Sequence, residues 1–106
     1  MSCRFMRIML FFDLPSVTKK EHRDYARFVK MIKKKGFVML QESVYTKLAL
    51  NASVVNSTLI EVRKNLPPNG CVSVLTITET QFGSIEHMLG EIKTDVVMSE
   101  DKVIKL

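Results

Sequence analysis

Chemistry in this sequence begins with Asp13. The carboxylate directly follows residues 5–12, an apolar run that ends at Asp13-Leu14-Pro15, so the end of a buried strand would hold it rigidly. The alternative is a turn-forming Asp whose side chain bonds nearby backbone N–H groups. Metal-assisted cleavage of phosphodiesters usually needs several carboxylates around one or two ions, and one Asp per chain does not supply them. A two-fold axis would, by setting Asp13 of one subunit near Asp13 of a second copy. Two such charges would raise an apparent pKa belonging to the pair unless a divalent cation lay between them. Oxygen ligands suit magnesium, or manganese.

A cationic stripe is the second feature. Arg23, Arg27, Lys30 and Lys34 follow at spacings of four, three and four, which lines them along one side of a helix. Lys19 and Lys20 stand at its start, and Lys33 and Lys35 thicken its end. As phosphate contacts these residues would bind nucleic acid independently of sequence. The alternative is a solvated basic helix. Aromatics do not interleave with the charges, which argues against base stacking on single strands.

Other chemistries lack support. His22 and His87 have no partners at a recognisable spacing, and Ser43 and Tyr45 have no base beside them in sequence for nucleophilic catalysis. Neither a glycine-rich phosphate loop nor a zinc motif is present. Cys3 and Cys71 form no CxxC pair, so two free thiols in a reducing cytoplasm are expected rather than a disulfide scaffold. The apolar run at 8–12 is too short for an export signal. No segment approaches the roughly 20 apolar residues that span a bilayer. Seven methionines read as core filler.

The elements that must position these residues are legible. Residues 5–12 are apolar at almost every position and predict a central strand buried on both faces. Thr18-Lys19-Lys20-Glu21 is a capping box, after which Tyr25, Phe28, Val29 and Ile32 mark the apolar face of a helix ended by Gly36. Residues 37–50 predict two short strands joined by a tight turn at Gln41-Glu42-Ser43. Asn51 caps a second helix with an apolar stripe of Val55, Leu59, Val62 and Leu66, stopped by Pro67-Pro68-Asn69-Gly70. Residues 71–78 predict a further strand, 81–89 a short helix, and 96–106 an edge strand.

The expected fold is therefore α+β, a ferredoxin-like βαββαβ domain spanning 1–106 with an additional C-terminal edge strand. Both helices would cover one face of the sheet. The other face, apolar along the first strand, predicts a homodimer. Charge is unevenly shared: residues 1–53 carry 11 Lys and Arg against 4 Asp and Glu, whereas residues 54–106 carry 5 against 7. A basic half points to a polyanionic partner, nucleic acid first. It makes a small regulatory ferredoxin-like domain the least favoured alternative.

Three segments carry a family likeness: Met6-Arg7-Ile8-Met9-Leu10-Phe11-Phe12-Asp13-Leu14-Pro15, then Gly36-Phe37-Val38-Met39-Leu40-Gln41-Glu42-Ser43-Val44-Tyr45-Thr46-Lys47-Leu48, then Val74-Leu75-Thr76-Ile77-Thr78-Glu79-Thr80-Gln81-Phe82. Through them the chain resembles, over nearly its whole length, the Cas-two family of CRISPR adaptation proteins, especially those of type II systems. The resemblance implies a ferredoxin-like homodimer whose C-terminal strand reaches onto the partner's sheet. It implies a bridge between two copies of the Cas-one integrase dimer, with double-stranded prespacer DNA across the assembly. It also implies a magnesium-dependent endonuclease in which Asp13 is catalytic and binds the metal. Many family members place Tyr before that Asp. Phe12 here would remove a hydroxyl beside the metal site, weakening the case for cleavage but not for binding. A ribonuclease toxin of the same fold is an alternative.

Overall fold

The computed structural model describes residues 5–90. The strand expected within 96–106 and the thiol of Cys3 lie outside the described residues.

Strand β1 (Met6–Asp13) is central, antiparallel to β3 (Val44–Ala49) on one side and to β4 (Cys71–Thr78) on the other. Strand β2 (Val38–Gln41) pairs antiparallel with β3, and the sheet runs β2-β3-β1-β4. With helix α1 (Lys19–Lys34) between β1 and β2, and α2 (Ala52–Lys64) between β3 and β4, this is the ferredoxin-like α+β fold expected.

Alternation along β1 divides the molecule into two layers. Ile8, Leu10 and Phe12 join Phe28 and Ile32 of α1, and Val55 and Val62 of α2, in the main core. Each such side chain taken from water contributes about 1.5–3 kcal/mol. Arg7, Met9, Phe11 and Asp13 alternate onto the opposite face, which α1 and α2 leave free.

The helix starts follow the local chemistry. Thr18 Oγ1 accepts from the Glu21 amide at 3.1 Å, and the Glu21 carboxylate accepts from the Thr18 amide at 3.0 Å. Those backbone bonds, Thr18 before Val17, hold Glu21 below the usual carboxylate range. Gly36 takes φ +101° just beyond α1. At the end of that helix Lys47 Nζ donates to the Lys35 carbonyl at 2.6 Å. Asn51 caps α2 by accepting from the Val54 amide at 3.0 Å. The turn joining β2 to β3 puts Ser43 at φ +64°. There Leu40 is the extra residue of a bulge, because Gln41 pairs with Val44 and Met39 with Tyr45.

Three expectations change. Leu66 is 48% exposed rather than part of the core stripe, because α2 ends at Lys64 and a residue preceding Pro is disfavoured in helical conformation. The last short helix, α3, is Glu79–Gly83 rather than 81–89. A second capping box starts it early: Thr78 Oγ1 accepts from the Gln81 amide at 3.0 Å, and Gln81 Oε1 accepts from the Thr78 amide at 2.9 Å. Finally, β1 is not apolar on both faces. Arg7 is only 5% exposed and donates to both carboxylate oxygens of Glu79, at 2.9 and 2.7 Å. Its guanidinium lies 4.2 Å from the ring centroid of Phe82, which packs with Met9 and Leu40 on the face away from α1 and α2. Helix α3 thus covers the Arg7 end of that face.

Candidate functional site

Asp13 ends β1 opposite Cys71 of β4, and both are exposed. Backbone geometry at Gly70 sets the position of this corner. Gly70 has φ +101°, and a Cβ there would lie 2.7 Å from the Asp13 carbonyl and 2.8 Å from Leu14 Cδ2. Only glycine allows β4 to start this close to the Asp13-Leu14 turn.

The described residues contain no group of three His, Cys, Asp or Glu side chains able to hold a metal ion. One exposed carboxylate leaves most of a magnesium ion's octahedral shell to water and substrate phosphate oxygens, so the described residues of one chain do not by themselves form a closed site for the metal. Phe12 has no bearing on that deficit. It is buried on the helix side, edge-on to Phe28 at 5.3 Å and stacked with Tyr45 at 5.7 Å, whereas Asp13 alternates to the other face. A hydroxyl on the ring at position 12 would stand in the helix-side core, not beside Asp13, which corrects the expectation drawn from sequence. Tyr45 is buried as well. Desolvation first, then Tyr25 and Glu42, push its phenol pKa up, away from nucleophilic use.

The cationic stripe lies elsewhere. At about 100° per residue, Arg23, Arg27, Lys30 and Lys34 centre on the side of α1 turned away from Phe28 and Ile32. All four are exposed, as are Lys19 and Lys20. An acid interrupts the row. Asp24 accepts from Lys20 at 3.0 Å and from Arg27 at 3.2 Å. The Lys20 hydrogen bond, followed by the charges of Lys20 and Arg27, holds Asp24 below the usual carboxylate range. Asp24 was missed in sequence, although pairs at i,i+4 and i,i+3 are a local signal. Lys19, Arg23, Lys30 and Lys34 make no ion pair among the described residues. At the start of α1, Lys19, His22, Arg23 and Val17 line an open depression of about 390 Å³.

Asp13 and the stripe therefore sit on opposite faces of the sheet. A rod lying along the outside of α1 would touch the cations of one chain without meeting its Asp13.

A family model described as CRISPR associated protein Cas2 matches residues 6–85, a span that runs from the first residue of β1 to just beyond α3. This chain belongs to the CRISPR associated protein Cas2 family. It is 42% identical to a CRISPR-associated endoribonuclease Cas2 of Treponema denticola, over 95% of this chain and 100% of that one. A protein of the same name from Streptococcus mutans is 37% identical over 95% and 93% of the two chains. Another from Lacticaseibacillus rhamnosus is 36% identical over 95% and 100%. The Cas2 match includes Asp13, the cations of the stripe and the Arg7–Glu79 pair. Among the described residues no helix is long and apolar enough to cross a membrane.

Proposed function

We propose that the chain acts in CRISPR adaptation as a homodimeric scaffold. The dimer grips double-stranded prespacer DNA by its phosphates and presents it to the Cas-one integrase, which performs the transesterification. The observation that carries this reading is the row Arg23, Arg27, Lys30 and Lys34, exposed along the side of α1 turned away from the core. Contacts of this kind fix a duplex in place without reading its bases. Dimerisation is supported by the face away from α1 and α2, where Phe11, Leu48 and Leu75 are 38, 39 and 53% exposed. Leu48 pairs with Arg7 and Leu75 with Met9, so this apolar area borders α3 on the face that carries Asp13, and a second copy of the same face would cover what α3 leaves exposed.

A second reading is favoured by the name the relatives carry, endoribonuclease. Here Asp13 serves a nuclease, with magnesium or manganese as cofactor. Because the described residues of one chain hold no group of three such ligands, the reading takes Asp13 from each of two copies.

One set of variants tests both. Replacing Arg23, Arg27, Lys30 and Lys34 with Ala weakens duplex binding and flattens its salt dependence, the log–log slope falling by roughly 0.9 for each phosphate no longer neutralised. Unchanged binding in that variant sinks the scaffold surface. Asp13→Ala removes cleavage of RNA or DNA by the purified dimer and leaves duplex affinity intact. Cleavage that persists in Asp13→Ala refutes the nuclease reading.

A further inference from the structure

The run Lys33-Lys34-Lys35 contributes only Lys34 to the α1 stripe, and Arg63-Lys64 at the end of α2 contributes nothing to it. The fold brings these two basic ends together. Lys35 Nζ lies 3.5 Å from Glu61 Oε1, and Lys64 Nζ lies 3.5 Å from Glu61 Oε2. One carboxylate of α2 thus has an ammonium on each oxygen, one from its own helix and one from the end of α1.

These contacts are loose. Tight charge-assisted hydrogen bonds are about 2.7–2.9 Å long, and the three side chains retain 38, 40 and 67% of their exposure for Lys35, Glu61 and Lys64. Exposed ion pairs of this kind contribute little, at most about 1 kcal/mol. The local charge is also unbalanced, with Lys35 and Lys64 sharing a single Glu61 and Lys33, Lys34 and Arg63 adjacent to them in sequence. The C-terminal ends of two helices add partial negative charge of about half a unit each. At α1 this is met by Lys47, whose ammonium donates to the Lys35 carbonyl. The site remains strongly cationic.

We propose that the ends of α1 and α2 form a second phosphate site for nucleic acid, in which Glu61 stands where a backbone phosphodiester binds. A carboxylate and a phosphodiester each carry one negative charge on two terminal oxygens. A phosphate that displaces Glu61 takes over both lysines and gains the counterion release that an internal carboxylate cannot supply. The site extends the α1 stripe beyond Lys34 onto α2, so a duplex held on that stripe continues across it. The proposal rests on the duplex-binding reading above and adds α2 to it. Glu61 acts as a built-in competitor that holds the affinity of the whole surface down.

The test uses the full chain, a mixed-sequence DNA duplex of about 30 base pairs, and titrations at several salt concentrations. Glu61→Gln keeps the shape and releases both lysines, and binding tightens several-fold at low salt. The combined variant Lys35→Ala, Arg63→Ala, Lys64→Ala shares no residue with the stripe variant. It lowers affinity and reduces the log–log slope by roughly 0.9, the value for the one phosphate that the site holds. Circular dichroism melts confirm that each variant is folded. Unchanged or weaker binding by folded Glu61→Gln overturns the proposal. So does unchanged binding by the triple variant when the stripe variant fails, an outcome that leaves the scaffold reading standing. A wild-type chain with no affinity for duplex at low salt overturns both.

Discussion

The Arg7–Glu79 pair should be among the most sensitive points of this fold. Arg7 is 5% exposed and the Glu79 side chain 14%, so removing either partner strands a charge away from water. Breaking such a pair from one side costs about 3–5 kcal/mol. Arg7→Met also gives up the cation–π interaction with Phe82, worth roughly 0.5–2 kcal/mol. Glu79→Ala leaves the more deeply buried guanidinium without its acceptors and should stand at the upper end of the range. The double variant Arg7→Met, Glu79→Leu buries no charge and should recover most of the loss, because apolar replacement of a buried pair is often neutral or better. For a domain of this size 1 kcal/mol corresponds to about 4–8 °C in Tm, so each single variant should melt roughly 12 °C or more below the wild type. Thermal and urea unfolding at one fixed protein concentration provide the measurement, since self-association would otherwise shift the midpoint. Single variants within about 0.5 kcal/mol of wild type, or losses that simply add in the double variant, would refute the clamp.

Two further outcomes follow from backbone and core geometry. Gly70→Ala forces φ +101° on a residue with a Cβ and drives that Cβ against the Asp13 carbonyl. The variant should lose more than about 1 kcal/mol in urea unfolding, and a neutral result would show that the corner relaxes freely. Thr46→Val should stabilise the protein by up to about 1 kcal/mol in the same assay, because the buried Thr46 hydroxyl has no hydrogen-bond partner among the described residues. A clear destabilisation would mean that the hydroxyl has an acceptor.

Much of this molecule is written locally. The capping box at Thr18 and Glu21, the Asn51 cap, Gly36 beyond α1 and the placement of Asp13 at the end of β1 each depend on residues within a few positions of one another. Short-range sterics and hydrogen bonding decide them before the chain packs. The Asp24 bridge is local too, and a charge count along the helix would have found it. The family resemblance was equally readable, because its motifs lie within the strands.

The tertiary structure decided how these pieces face one another. Arg7 looks like an interruption in an apolar strand until α3, 72 residues away, brings Glu79 over it. Glu61 is an ordinary surface acid until α2 lies beside the end of α1. The sides taken by Phe12 and Asp13, and hence the separation of the acid from the cationic row, come from strand register and from the helices packing on one face. No local propensity encodes those choices. They depend on contacts between residues distant in sequence, whose free energy exists only once the sheet is paired and the core is closed.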